Sequence, residues 1–337
     1  IGAYAMSSSA TGEQNVAVGQ ATMQNLTTGH NNTVIGQTAG YNLTTGAENV
    51  AIGRAAMYTV VGASNNVAIG YEALYTGNVG NTVAIGFKAL KYNSATGYNN
   101  TAVGYIAGLD LTTGQHNTFV GAYAGENATT ASESVFVGTS AGGTGIVTGS
   151  KNTAVGRSAG TNLTTGDNNL ILGHDAGRTG APGGNINTEN NEICLGDENI
   201  AEAHIQVSFV AASDERDKTD FVDLDLGLDF IKALEPVTYY WDKRSKYGDK
   251  YAEDYDLDAQ TPDGTHKEDW MDVGFKAQAV EVLEEAAGYK AADKKNLTVS
   301  NTEDGKQYSL QYEKFVPILV KAIQELSAEV EKLKSGG

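Results

Sequence analysis

A five-residue motif, Asn-x-apolar-Val/Ile-Gly, recurs along the first part of the chain and leaves few folds open to it. It reads Asn15-Val-Ala-Val-Gly19, Asn32-Thr-Val-Ile-Gly36, Asn49-Val-Ala-Ile-Gly53 and Asn66-Val-Ala-Ile-Gly70. Later copies close at Gly86, Gly104, Gly121, Gly138, Gly156 and Gly173, and the closing glycines step by 16 to 18 residues, most often 17. A looser copy ends at Leu195-Gly196, after the insertion Gly180-Ala-Pro-Gly-Gly184. Alanine stands three residues after the glycine in nine of the ten copies, from Ala39 to Ala176, and Leu-Thr-Thr-Gly turns close at Gly29, Gly46, Gly114 and Gly166.

Self-similarity at such a period signals a stacked repeat. Four apolar or β-branched residues make one short strand. Gly and Asn supply the positive φ angles of tight turns. Seventeen residues then hold about two short strands and two turns, one coil of a β-solenoid. No coil closes a core alone, but stacking buries the same apolar positions in one column. No 3.6-residue periodicity appears here, so helices are not expected. The expected fold class is mainly β, a solenoid or β-roll of 17-residue repeats, followed by a small α/β domain that ends in a coiled-coil helix.

The composition changes abruptly along the chain. Residues 1–206 hold 6 Lys+Arg and 13 Asp+Glu, whereas residues 207–337 hold 17 and 28. This places a repetitive domain over 1–206 and a second domain over 207–337. The net charge of −18 argues against nucleic-acid or anionic-membrane binding, where a basic patch supplies most of the affinity. Acidity instead keeps a repetitive protein soluble. No apolar run approaches the roughly 20 residues that span a bilayer. The single cysteine, Cys194, lies in the run Ile193-Cys194-Leu195 and reads as a small buried hydrophobe. The five histidines show no metal-ligand spacing and no phosphate-binding loop occurs, so no metal and no cofactor are expected. The chain opens at Ile1 without a Met or signal peptide, as expected of a fragment or processed product. Tyr41, Tyr71, Tyr105 and Tyr123 fall at coil edges, where rings either stack on sugars or cover seams between coils or chains.

The repeat, over about residues 1–196, resembles the left-handed β-roll heads of trimeric autotransporter adhesins and repeats of phage tail fibres, with a slightly longer period than the adhesin heads. A second resemblance starts at Val210-Ala-Ala-Ser-Asp-Glu-Arg-Asp-Lys218, where Ser213-Asp214-x-Arg216-x-Lys218 is similar to the start of the intramolecular chaperone found at the C-terminus of phage endosialidases, tail spikes and tail fibres. Gly227-Leu-Asp-Phe-Ile-Lys-Ala-Leu-Glu-Pro-Val237, Tyr240-Trp-Asp242, Gly274-Phe-Lys-Ala-Gln278, Tyr308-Ser-Leu310 and the segment 319–326 follow in the order of that family. The resemblance implies autoproteolysis between Ala212 and Ser213, with Ser213 as nucleophile, Lys218 as its base, and Asp214 and Arg216 as supporting motif residues. A serine hydroxyl needs a proton acceptor at neutral pH. A lysine serves only if burial lowers its pKa, so assembly of the chains would start the reaction.

Val316, Leu319, Ile323, Leu326, Val330 and Leu333 alternate at spacings of 3 and 4, a coiled-coil seam within about 314–334. Val or Ile at a with Leu at d nominally favours two strands, while Val320 and Ala322 broaden the apolar face as three strands require. The homotrimer is thus implied mainly by the resemblances. Leu226–Leu234 and Lys276–Ala287 read as helices stopped by Pro236 and Gly288, and the acidic stretch Lys246–Trp270 reads as a flexible arm. The functional expectation is a phage tail fibre or spike segment for host attachment, made in the host cytoplasm and carried on the virion, that meets a host-surface glycan or protein receptor. A bacterial trimeric surface adhesin with the same chaperone and a glycan-degrading spike are the alternatives. Against the last, the repeat shows no carboxylate pair of the glycosidase kind.

Overall fold

A computed structural model gives the structure of the chain and describes all residues except 9, 10, 95, 182, 207, 210, 251, 253, 291–296, 303, 304 and 337. Val207 and Val210, which open the expected second domain and the junction run, lie outside the described residues, as does Pro182 of the insertion. The chain divides into two units, Ile1–Asn199 and Ile200–Gly337.

The first unit is a β-solenoid. Eleven three-residue strands, β1 (Val16–Val18) through β11 (Ile193–Leu195), form one parallel sheet in sequence order. Register is kept coil after coil, so that Ala51 pairs with Ala68 and Ala68 with Ala84. The closing glycine is what permits this approach. Gly70 has φ +138°, and a Cβ there would lie 2.2 Å from the carbonyl oxygen of Gly86 in the next coil. Among the described residues each coil contains one strand where two were expected. On the second side, backbone bonds still run from coil to coil, as from Met23 N–H to the Ala39 carbonyl at 3.0 Å. The second and fourth residues after the glycine take positive φ, however: 58° at Ala55 and 55° at Met57, 54° at Glu72 and 48° at Leu74. An extended strand cannot hold those angles. These left-handed positions are filled by ordinary residues, Thr38 and Ile106 among them, and not only by Gly and Asn.

The middle residue of each strand points inward. Ala51, Ala68, Ala84, Phe119, Phe136 and Ile171 are fully buried in a continuous core. Their neighbours Val50 and Ile52, or Val67 and Ile69, point outward and remain half-buried. The sheet is therefore apolar on both faces. The motif asparagines form a second buried column. Asn49 Nδ2 donates to Asn32 Oδ1 in one neighbouring coil at 2.9 Å, and Asn49 Oδ1 accepts from Asn66 N–H in the other at 3.1 Å. Cys194 is buried as expected, and burial pushes its thiol up.

The second unit is small and mixed. Helix α1 (Leu228–Ala233) precedes Pro236, strands β12 (Val237–Tyr239) and β13 (Asp272–Gly274) pair antiparallel, and α2 (Ala277–Ala286) ends before Gly288. Strands β14 (Val299–Asn301) and β15 (Tyr308–Leu310) form a second pair ahead of the long helix α3 (Phe315–Ser335). Leu226, Phe230, Val280, Val299, Phe315 and Ile318 make its core. The described residues of 246–270 form turns tied back to neighbouring chain, with Arg244 on Asp258 at 2.6 Å and Gly264 N–H on Asp242 at 2.9 Å.

Candidate self-cleavage site

Ser213 and Lys218 flank one turn of 3₁₀ helix, Glu215–Asp217. Asp214 caps it, its Oδ1 accepting the Arg216 N–H at 2.9 Å, and Lys218 N–H closes the turn on the Glu215 carbonyl at 3.1 Å. The turn reverses the chain so that Lys218 Nζ donates to Ser213 Oγ at 2.6 Å. The sequence-expected nucleophile and base are thus brought together. Asp214 and Arg216 are joined as well: Arg216 Nη2 donates to Asp214 Oδ2 at 2.6 Å. Hydrogen bonds from Arg216 hold the Asp214 carboxyl below its usual range. Ala212, Ser213 and Lys218 are all exposed in the single chain. In that setting the amine is a donor to the hydroxyl. Proton abstraction from Ser213 needs the reverse arrangement, with the hydroxyl donating to the amine.

Helix α3 has two apolar faces. Phe315, Ile318 and Ala322 are buried in the core of the second unit. Val316, Leu319, Ile323, Leu326, Val330 and Leu333 lie on the exposed side, Ile323 at 64% and Leu333 at 78% exposure. Val320 belongs to the same side, whereas Ala322 faces the core and does not broaden the seam. No helix among the described residues is long and apolar enough to cross a membrane.

The tyrosines of the solenoid stack on one another. Tyr41, Tyr58 and Tyr75 follow at 5.2 Å between centroids, and Tyr71, Phe87 and Tyr105 at 5.3 and 5.1 Å. Arg54 covers the Tyr71 ring and Lys91 the Tyr75 ring. Sugars stack on ring faces, and those of Tyr58 and Tyr75 and of Tyr71 and Phe87 are turned to neighbouring coils or cations; the seam-covering reading fits them better. Tyr105 meets Tyr123 edge-on. Spacing did not reveal that His174, Asp175 and Asp197 come together in the last coils with ligand atoms within 4.8 Å of one another. The Arg157 guanidinium lies 2.9 Å from His174 Nε2, Arg178 lies 3.5 Å from Asp175, and Asn199 hydrogen-bonds Asp197. Two guanidinium groups beside the cluster offset its charge and disfavour a cation.

Residues 213–289 match a peptidase family described as chaperone of endosialidase, and the match begins at Ser213. No curated protein and no solved structure matched the chain. A β-solenoid followed by such a segment fits a tail fibre with a C-terminal chaperone domain, and the family match supports an intramolecular chaperone with self-cleaving activity in general.

Proposed function

We propose that the chain is a segment of a phage tail fibre or spike used in host attachment, assembled as a homotrimer by its C-terminal unit, residues 207–337, which then releases itself by cutting between Ala212 and Ser213. The observation that carries the reading is the 2.6 Å hydrogen bond between Lys218 Nζ and Ser213 Oγ at the start of the family match. Assembly buries Lys218 and leaves it neutral. Ser213 Oγ then attacks the Ala212 carbonyl carbon and passes its proton to Lys218 Nζ. The Ala212–Ser213 C–N bond breaks, its nitrogen takes a proton, and Ala212 is left as an ester on Ser213 Oγ. Water hydrolyses the ester to the Ala212 carboxylate and restores the hydroxyl. The exposed seam of α3 and the outward apolar residues of the sheet supply surfaces for further copies of the chain, since a parallel sheet is normally covered on both faces. Trimerising first aligns repeats whose long-range pairing is otherwise slow and prone to aggregate.

The test is a denaturing gel with intact mass of freshly expressed protein, beside Ser213→Ala and Lys218→Ala. A wild-type split at Ala212–Ser213 that both substitutions abolish is expected. An intact wild type would reduce the C-terminal unit to a trimerisation domain.

A further inference from the structure

Between Ser213 and Lys218 the backbone makes a single 3₁₀ turn with no buried residue. No packing holds Lys218 Nζ against Ser213 Oγ, and fixing a lysine side chain costs conformational entropy. The hydrogen bonds of the segment instead converge on one group. The Asp214 carboxylate accepts Arg216 N–H at 2.9 Å, Arg216 Nε at 3.0 and 3.3 Å, and Arg216 Nη2 at 2.6 Å. The first of these caps the open end of the turn. The others form the two-pronged guanidinium–carboxylate pair, the geometry in which an exposed ion pair retains some strength. Backbone bonds from Asp217 N–H to the Asp214 carbonyl and from Lys218 N–H to the Glu215 carbonyl complete the turn. The cap sets the turn, and the turn sets the direction in which the Lys218 side chain leaves it.

We infer that Asp214 is a positioning residue, whose carboxylate holds the Arg216 N–H and guanidinium together and so folds the turn that returns Lys218 to Ser213. The inference rests on the proposed self-cleavage and adds a role for the residue beside the nucleophile. Asp214 takes no proton in this scheme. Its carboxyl is lowered by Arg216, so the support it gives is lost only as pH falls through that lowered value. That window lies far from any in which a lysine base titrates. Asparagine at 214 keeps an acceptor for the cap but loses the charge pair, whereas alanine loses both.

The experiment is the first-order rate of self-cleavage of the full chain across pH, read by gel and intact mass, with trimer content checked by light scattering. Wild type is compared with Ser213→Ala, Lys218→Ala, Asp214→Ala, Asp214→Asn and Arg216→Ala. Ser213→Ala and Lys218→Ala stay uncut. Asp214→Ala slows by about 100-fold, the scale of a misplaced catalytic group. Asp214→Asn and Arg216→Ala slow by about fivefold or less, the scale of one exposed pair. In all three slowed variants the midpoint of the pH profile stays at the wild-type value, because the base is unchanged. Asp214→Ala cutting at the wild-type rate while the dyad variants are inert overturns the inference and leaves the self-cleavage reading intact. A displaced midpoint in Asp214→Ala assigns the carboxylate to proton transfer and overturns it also. An uncut wild type, or Lys218→Ala cutting as fast as wild type, overturns the self-cleavage reading and this inference with it.

Discussion

Asn49 connects three coils through one amide. Its Nδ2 donates to Asn32 Oδ1 at 2.9 Å and to the Ala63 carbonyl at 2.9 Å, and its Oδ1 accepts from Asn66 N–H and Nδ2, both at 3.1 Å. All of this lies out of contact with water. Asn49→Ala strands several buried donors and acceptors, each worth about 1–3 kcal/mol when unmet, so a loss of about 3 kcal/mol or more is expected. Asn49→Asp should cost at least as much, because it turns a second acceptor toward Asn32 Oδ1 and the Ala63 carbonyl. A column break is tolerated where the chain supplies it: Thr82 N–H still donates to Asn66 Oδ1 at 3.0 Å. Asn49→Thr should therefore cost less than either. Thermal melting of the three variants by circular dichroism checks the order, and equal melting points would remove the amide column as a source of stability. The sequence placed Asn49 in the right repeat but for a different reason, since Asn, like Gly, reads as turn chemistry. Only stacking in register makes it an amide ladder, and a single coil carries no trace of that. Ser213 and Lys218 are similar. Their distance in space follows from a turn set by Asp214, which no periodicity announces, and it was the family resemblance that singled them out.

At the scale of the coil, two core positions vary together. Where the strand centre is Ala51, Ala68 or Ala84, the residue four beyond the closing glycine is Met57, Leu74 or Leu90. Where the centre is Phe119, Phe136 or Ile171, that residue is Gly125, Gly142 or Gly177, and a Cβ on Gly125 would lie 2.7 Å from the Phe119 ring. Gly108 follows Ala102 and Gly160 follows Ala154, yet a Cβ on Gly108 would meet both Leu90 and Phe119 of the adjoining coils within 2.8 Å and one on Gly160 would lie 3.1 Å from Ile171 of the next coil. The two columns share one fixed volume. Ala68→Phe alone should overpack the coil by about 1–3 kcal/mol. Adding Leu74→Gly should recover part of this, with a coupling of about 1 kcal/mol or more. Additive melting shifts in the two single variants and the double variant would contradict a shared volume. The period and the inward strand were legible from the sequence, and the solenoid follows from them. The single strand per coil was not, because ordinary residues such as Ile106 occupy left-handed angles that local preference assigns to Gly or Asn. Neighbouring coils also hold a pH-sensitive pair. Burial pushes the Asp110 and Glu126 carboxyls up, and the Asp110 charge raises Glu126 further. Raised carboxyls contribute stability that is present below the unfolded value, about 4, and is lost as pH rises through the folded value. Asp110→Asn or Glu126→Gln should thus melt higher than wild type at pH 7, with the advantage shrinking towards pH 4. A substitution that lowers melting at pH 7 would show that the carboxylates are needed charged.

For the whole molecule, the same exposed features that leave one chain incomplete are those that assembly would use. Ser213 and Lys218 are exposed, and the outer seam of α3 from Val316 to Leu333 has no partner within the described residues of its own unit. Burying an apolar seam of six side chains supplies about 1.5–3 kcal/mol per fully buried residue. A coil of nearly three heptads is still short, so the association must also draw on the rest of the second unit. If association is what buries Lys218, then cleavage and oligomerisation are one event measured two ways. Ile323→Asp puts a charge in the middle of the seam, on the side away from Phe315 and Ile318, so it leaves the core of the unit alone. Light scattering of this variant should give a monomer, and a gel of the same sample should give an uncut chain. Diluting wild type below its dissociation constant before cleavage should slow the cut, whereas a reaction confined to one chain would run at the same rate at every concentration. Wild-type cleavage that is independent of concentration, or full cleavage of monomeric Ile323→Asp, would separate the peptidase from assembly. Lys218 would then have to lose its proton by some means within a single chain. Concordant loss of both would show that the base is withheld until other copies bury it.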